Sequence, residues 1–421
     1  MFENTARSQK LASELTCFME EHVYPAEAAF EQQVAEGGES RPQPPVLEEL
    51  KAEARRRGLW NFFLPHKEEG HYPLTNSEYA PLAEITGRSI GLAPEALNCA
   101  APDTGNMELL SMFGTPEQKE QWLTPLMAGE IRSSYVMTEP QVASSDASNI
   151  ETSIVRDGAE WVVNGRKWWI SGANRDRCRL LIVMGISDDS PDADRHRRHT
   201  MVLVPIDTPG VTIERDLSVM GYNPFESHVE MTFEDVRVPA ANLLGDVGAG
   251  FAMSQARLGP GRIHHCMRLI GAAERALELM IHRAENRTAF GSRLVDQGVI
   301  REWIADSRIE IDQARLYTQY AAHLMDTVGN KEAASQISGI KVVVPSMAAR
   351  VIDRAIQAHG GGGLSQDFPL ARMWVETRII RIADGPDEVH RRAVARTELK
   401  KLAAVCDPAP SGLQAHLRHR S

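Results

Sequence analysis

"SIVRDGAEWVVNGRKWWISG", residues 153–172, decides the fold class, because here the chain leaves a helical period and begins to repeat every two residues. Asp157-Gly158 and Asn164-Gly165 are the strongest short hairpin signals a sequence offers, so a turn is expected at each. Further along, "RLLIVMGI" (179–186), "HTMVLVPI" (199–206) and "HVEMTFEDVRVP" (228–239) read as more strands. Residues 131–243 are therefore expected to form an all-β, barrel-like middle domain.

On both sides the grammar is helical. "SQKLASELTCFMEEHVYP" (8–25) spaces Leu11, Leu15, Phe18 and Val23 for a helix that Pro25 is expected to end. "PPVLEELKAEARRRGLW" (44–60) opens with prolines and closes at Gly58, and "GTPEQKEQWLTPLMAGE" (114–130) offers Thr115 as a cap with Pro116 in the first turn. Residues 1–130 thus read as a helical domain. Residues 244–405 carry four long helical patterns, at 263–287, 299–329, about 332–358 and 386–404, and suggest an antiparallel four-helix bundle. Gly329 is placed to end the second of these, and Pro345 is expected to kink the third. Residues 406–421 read as a loosely held tail.

The class is α+β and mostly α, without the βαβ alternation of a nucleotide-binding sheet. "GDVGAG" (245–250) lacks the GxGxxG spacing, and no GxxxxGK[ST] is present. A net charge of -11 argues against a general nucleic-acid or anionic-membrane surface and leaves any anionic ligand to local basic groups. Five scattered cysteines without CxxC pairing suit a reduced compartment, and neither they nor His264-His265 offer metal-ligand spacing. No apolar run is long enough for a bilayer and the first residues read as an amphipathic helix, so the expected location is cytoplasmic.

Four segments carry chemistry. "YVMTEPQVASSDASNI" (135–150) supplies small hydroxyls and backbone N–H groups suited to a planar, acceptor-rich ring. "NGRKWWISGA" (164–173) adds two tryptophans and Ser171. "NRTAFG" (286–291) pairs an arginine with an aromatic; read alone, it is either a pyrophosphate clamp or an ordinary helix end. "IQAHGGGGLSQDFP" (356–369) leads to "RIADGPDEVHRRAVAR" (381–396), where Asp384 is either the cap of the following helix or a proton-removing base.

In this order, and over nearly the whole chain, the four segments resemble the acyl-CoA dehydrogenase family, flavoproteins with the same α–β–α layout. The resemblance implies FAD as cofactor. It places Tyr135, Met137, Thr138, Ser144 and Ser145 on the flavin, with Ser145 also reaching the thioester. Trp169 packs on the flavin ring, and the Ser171 hydroxyl reaches its redox-active nitrogen. Arg287, Phe290 and Gln297 hold the diphosphate and adenine end of a neighbouring subunit's flavin. Gln357, Gly360 and Gly361 contact the adenosine part of the flavin, and Pro386 and Glu388 lie at the flavin. Arg262 and Gly385 face the substrate, and Glu234 stands where relatives dock an electron-transferring flavoprotein.

Asp384 falls where many relatives carry their catalytic glutamate, in Glu-Gly-Thr where this chain has Asp-Gly-Pro. The implied reaction is α,β-dehydrogenation of an acyl-CoA thioester to trans-2-enoyl-CoA. Asp384 would remove the α-proton, its backbone N–H would help hold the thioester oxygen, and the β-hydride would pass to flavin. Aspartate reaches about 1.5 Å less far than glutamate. Other relatives place the base immediately before the arginine matching Arg262, and there this chain has Gly261. Implied partners are acyl-CoA, an electron-transferring flavoprotein, and further copies of the chain in a homodimer or homotetramer. The rival readings are a flavin oxidase or monooxygenase on the same scaffold, and a silent flavin- or acyl-CoA-binding protein.

Overall fold

The computed structural model describes residues 5–38, 41–68, 73–190 and 192–405; the expected tail lies outside them. The chain opens with α1 (Ala6–Phe18) and α2 (Tyr24–Gly37). Pro25 does not end the first helix. A π-turn over Met19–Val23 joins the two, with the Tyr24 N–H donating to the Met19 carbonyl five residues back. The wider turn relieves the clash a proline makes with the carbonyl four residues earlier, so the chain stays helical. The same device over Lys119–Leu123 precedes Pro125.

Between these points lie α3 (Pro45–Arg56), α4 (Asn76–Gly87), α5 (Ala93–Ala96), α6 (Asp103–Phe113) and α7 (Pro116–Gln118), and α8 (Thr124–Met127) follows the second. Thr75 with Glu78, and Thr115 with Gln118, close reciprocal capping boxes at the starts of α4 and α7.

The strands are β1 (Arg132–Val136), β2 (Ser153–Asp157), β3 (Glu160–Ser171), β4 (Cys178–Ile186), β5 (His199–Pro205), β6 (Val211–Asp216), β7 (His228–Pro239) and β8 (Leu243–Leu244). They form one sheet in the order β6-β7-β3-β2-β4-β5-β8, with β1 parallel to β4. Asp157 pairs with Glu160, so the first expected turn is a hairpin. The second is not a turn. β3 runs straight through Asn164-Gly165, where the Asn164 amide and carbonyl oxygen bond Asp235 across the sheet. A side chain at Gly165 would run into Thr152, so glycine is needed there for close approach, not for reversal.

β4 is buried on both faces. Leu180, Ile182 and Met184 join the helical core, while Leu181 and Val183 join a second core with Ile154, Val163, Val202 and Met231. That explains why "RLLIVMGI" reads as a continuous apolar run.

The C-terminal region holds α9 (Gly250–Asn286), α10 (Gly298–Thr327), α11 (Ala334–His359), α12 (Leu370–Ile380) and α13 (Asp387–Val405). Between α9 and α10 stands a hairpin of β9 (Thr288–Ala289) and β10 (Ser292–Arg293). α11 runs through Pro345 without a break and packs on α9, α10 and α13. Two glycines, Gly87 on α4 and Gly271 on α9, let those helices cross with backbone in contact. No helix among the described residues is long and apolar enough to cross a membrane.

A buried ion network locks the helical start to the sheet. Arg132 pairs with Glu95 and Asp103 at 2.8 Å each, and Arg175 pairs with Glu95 at 2.9 Å. Asp103 also accepts the Ser133 N–H and hydroxyl at 2.6 Å, which fixes β1 and hence Tyr135. Removing one partner would leave a buried charge uncompensated, so the network is an all-or-none joint.

Candidate active site

The Asp-Gly-Pro turn between α12 and α13 is held by side chains that donate to its carbonyls. Lys341 on α11 donates to the Ile380 oxygen, to Ala383 at 2.7 Å and to Gly385 at 3.3 Å. Arg262 on α9 donates to the Asp384 oxygen at 2.9 Å, and the His390 Nε2 lies 3.2 Å from the same oxygen. Asp384 sits at φ +57°, a left-handed conformation costly for a side chain with a Cβ. These contacts hold it there, and the carboxylate points at α9. Its Oδ2 lies 3.6 Å from His265 Nε2 and 3.5 Å from the place a Cβ on Gly261 would take.

Burial alone would raise the Asp384 pKa, but the pull of a His265 that becomes protonated in acid and the charges of Arg257, Lys341 and Arg262 outweigh it and hold the carboxyl below its usual range. The group is ionised at neutral pH. His265 is pushed down to about 4, first by burial and then by Arg268, Lys341 and Arg257 against the pull of Asp384, so its ring is neutral. Arg257 lies 4.0 Å over the Tyr135 ring and donates to Asn106 at 3.2 Å and to the Pro102 carbonyl at 3.3 Å. Its neighbour Ala256 lines a cleft of about 410 Å³ whose walls mix apolar Pro65, Leu74, Met112 and Met325 with polar Glu108 and Asp326.

The first two segments lie along the sheet. The carbonyls of Met137 and Thr138 are taken inside the protein, by the buried Lys167 at 2.9 Å and by the Trp168 N–H at 3.0 Å. The Ser144 hydroxyl is turned inward and accepts the Glu139 N–H at 2.8 Å, while Ser145 is exposed. The pairing of β3 with β7 shifts register between Lys167 and Ile170, and Trp169 within that shift has φ +53° and a 41% exposed indole. Ser171 Oγ lies 3.0 Å from His228 Nδ1.

The other expected residues are elsewhere. Arg287, Phe290 and Gln297 are exposed around the β9–β10 hairpin, whose tip is Phe290-Gly291 with φ +52° and +82°. Gln357, Gly360 and Gly361 are exposed at the end of α11, and His359 beside them feels the charges of Arg283 and His282 from the end of α9. These two groups therefore share one end of the bundle. Asp384 is at the other: from Gly261 to Arg287 is 26 residues, roughly 39 Å along α9. Glu388 is exposed, Pro386 and Gly385 are half-buried in the turn, and Glu234 is exposed on β7. Of the glycine run, Gly363 packs inward, where a Cβ would meet the Ile356 oxygen at 2.6 Å, whereas Gly360 and Gly361 have open space.

Sequence reasoning missed Arg257, His265, Lys341 and His390. The only signal was a cluster of basic residues on helical patterns, which does not distinguish a site from a solvated face.

Residues 5–130, 134–236 and 248–399 match the N-terminal, middle and C-terminal domain models of the acyl-CoA dehydrogenases. The chain is 58% identical to FadE2 of Mycobacterium tuberculosis, described as a probable acyl-CoA dehydrogenase, over 95% of this chain and 97% of that one. It is 53% identical to acyl-CoA dehydrogenase family member 10 of Mus musculus over 95% of its length, yet spans only 38% of that longer protein. A solved structure from Mycobacterium abscessus, assigned to acyl-CoA dehydrogenases, superposes with a TM-score of 0.89 at 52% identity, covering 95% of this chain and 99% of that one. The chain belongs to the acyl-CoA dehydrogenase family of FAD-dependent oxidoreductases.

Proposed function

We propose that the chain dehydrogenates an acyl-CoA thioester to its trans-2-enoyl-CoA, with Asp384 removing the α-proton. The observation that carries this is the Asp384 carboxylate itself: ionised, fixed in a left-handed turn by Lys341, Arg262 and His390, and aimed at the Gly261 position. Relatives that place their base before the arginine matching Arg262 and relatives that place it in the turn would thus bring a carboxyl to the same point from opposite helices. In this reading the Asp384 N–H donates to the thioester oxygen, and Arg262, which donates to the Asp384 carbonyl, keeps the turn closed during proton removal. The cleft beside Arg257 gives an apolar tail room to leave the reacting carbons.

The residues present fit a flavin dinucleotide: an exposed indole at Trp169, a hydroxyl at Ser171, and an arginine and a fully exposed aromatic ring at the hairpin. Bound FAD supplies the two-electron acceptor for the β-hydride. The roughly 39 Å between Asp384 and the hairpin exceeds the span of one dinucleotide, so Arg287, Phe290, Gln357 and Gly360 serve the cofactor of a second copy. Phe290 projecting wholly into solvent from a single chain fits that arrangement. The chain then works as a homodimer or a dimer of dimers, and passes electrons to an electron-transferring flavoprotein near the exposed Glu234.

The test is anaerobic addition of acyl-CoA esters of several lengths while following the oxidised flavin band. Bleaching is expected in the native protein and absent in Asp384→Asn, which keeps its flavin. An Asn variant that bleaches at the native rate removes Asp384 from the role. Rapid reoxidation by oxygen alone favours the oxidase, and no bleaching with any ester favours the silent binder.

A further inference from the structure

Once Asp384 has accepted a proton, that proton must leave before the next turnover. Four basic side chains act on the carboxylate: His265, Arg257, Lys341 and Arg262. Arginine offers donors and no acceptor, so Arg257 and Arg262 are not proton acceptors. The Lys341 amine is committed as donor to the Ile380, Ala383 and Gly385 carbonyls. His265 is different. Its Nε2 lies 3.6 Å from Asp384 Oδ2, its ring is neutral, and its side chain is 22% exposed beside an Asp384 side chain that is 19% exposed. A closure of about 0.7 Å brings the pair to hydrogen-bond length.

We propose that His265 is the carrier that takes the α-proton from Asp384 and hands it to solvent; this rests on Asp384 being the base. In the first step the α C–H bond breaks, its proton bonds to Asp384 Oδ2, and the electron pair stays on the acyl group as an enolate. In the second the Asp384 O–H bond breaks and the proton bonds to His265 Nε2. The proton on His265 Nδ1 then passes to water, and the ring returns to its starting tautomer through water. The low affinity of His265 for a proton suits a carrier, because a strongly basic histidine would keep what it received.

The reversible steps predict that the holoenzyme exchanges the α-hydrogens of butyryl-CoA with deuterated water. Wash-in is read by mass spectrometry beside anaerobic flavin bleaching in the same sample. In His265→Phe the ratio of wash-in to bleaching is expected to fall by about 100-fold, the scale of one positioned acid–base group. In His265→Ala added imidazole restores the ratio, a rescue that a merely structural histidine would not show. A native ratio in His265→Phe, or no rescue in a folded His265→Ala, overturns the carrier. Asp384→Asn separates the two ideas: loss of both signals keeps the base, while retention of both removes the base and the carrier with it.

Discussion

Replacing Lys341 by methionine keeps most of the unbranched apolar stem and removes its three donors to the turn that carries Asp384. A hydrogen bond from a charged group contributes about 1.5–3 kcal/mol, and a buried acceptor left without a partner adds to the cost. The three bonds share one nitrogen, and the apolar replacement recovers burial, so a net loss of about 4 kcal/mol is the working figure. At about 2.1 cal/mol/K per residue, a 421-residue cooperative unit melts about 5 °C lower for that loss. A second effect is local. The left-handed conformation of Asp384 costs about 1–3 kcal/mol, and without Lys341 the turn can release it. Each 1.4 kcal/mol moves the population of the productive carboxylate by about tenfold, so bleaching by acyl-CoA should slow by about 10-fold or more. The assay is a thermal melt followed by stopped-flow bleaching well below the midpoint, where the variant is fully folded. A variant that melts within 1 °C of the native protein, or melts lower yet bleaches at the native rate, refutes the idea that Lys341 holds the base in place.

Glu95, between Arg132 and Arg175, has its pKa lowered to about 2 although burial alone would raise it, so the arginines dominate. A folded pKa below the unfolded one means stability that is full above about pH 4.5 and is lost as pH falls toward 2. Chemical denaturation against pH should show that loss, at about 3 kcal/mol, and Glu95→Gln should flatten it. Phe290→Asp should leave the melt unchanged but lower the flavin absorbance retained after desalting; full retention would argue against a role at the partner's cofactor. Gly363→Ala should destabilise the fold because its Cβ meets the Ile356 oxygen at 2.6 Å, whereas Gly361→Ala has open space and should change flavin retention without changing the melt.

The α–β–α order was legible because a change from helical to two-residue periodicity is a property of many residues at once. Single-residue signals fared according to what they depend on. Thr115 depends on its own next turn and capped as expected, whereas Pro25 and Gly165 depend on neighbours the local sequence does not show. Proline forbids one hydrogen bond, and the chain can answer with a wider turn instead of a stop. A glycine after asparagine promises a turn, yet Gly165 is small because Thr152 from another strand needs the space. Asp384 could be singled out from the sequence, since its motif lies within one short segment. The residues that set its geometry were legible only in part: Arg262, 122 positions away, stood out through the family motif but for a substrate role and not as the donor to the Asp384 carbonyl, while Lys341, 43 positions away, has no signature beyond being basic.

The same distinction bears on why aspartate suffices in this turn. A glutamate reaches about 1.5 Å further, and its loss would matter if the backbone were free to settle where an ordinary residue prefers. Here it is not. Three donors pull on the carbonyls of residues 380–385 and hold Asp384 in a left-handed conformation, which carries the short carboxylate to within 3.5 Å of the Gly261 position. At Gly261 a Cβ would rest in van der Waals contact with the Asp384 carboxylate, and a side chain longer than alanine's would reach into its space, so the glycine and the aspartate are two halves of one arrangement. Gly261→Leu should therefore slow bleaching while leaving flavin retention intact, and Asp384→Glu in the native background should crowd α9 and bleach no faster than the native protein. A faster Asp384→Glu enzyme would mean that the shorter base is a handicap the turn does not compensate.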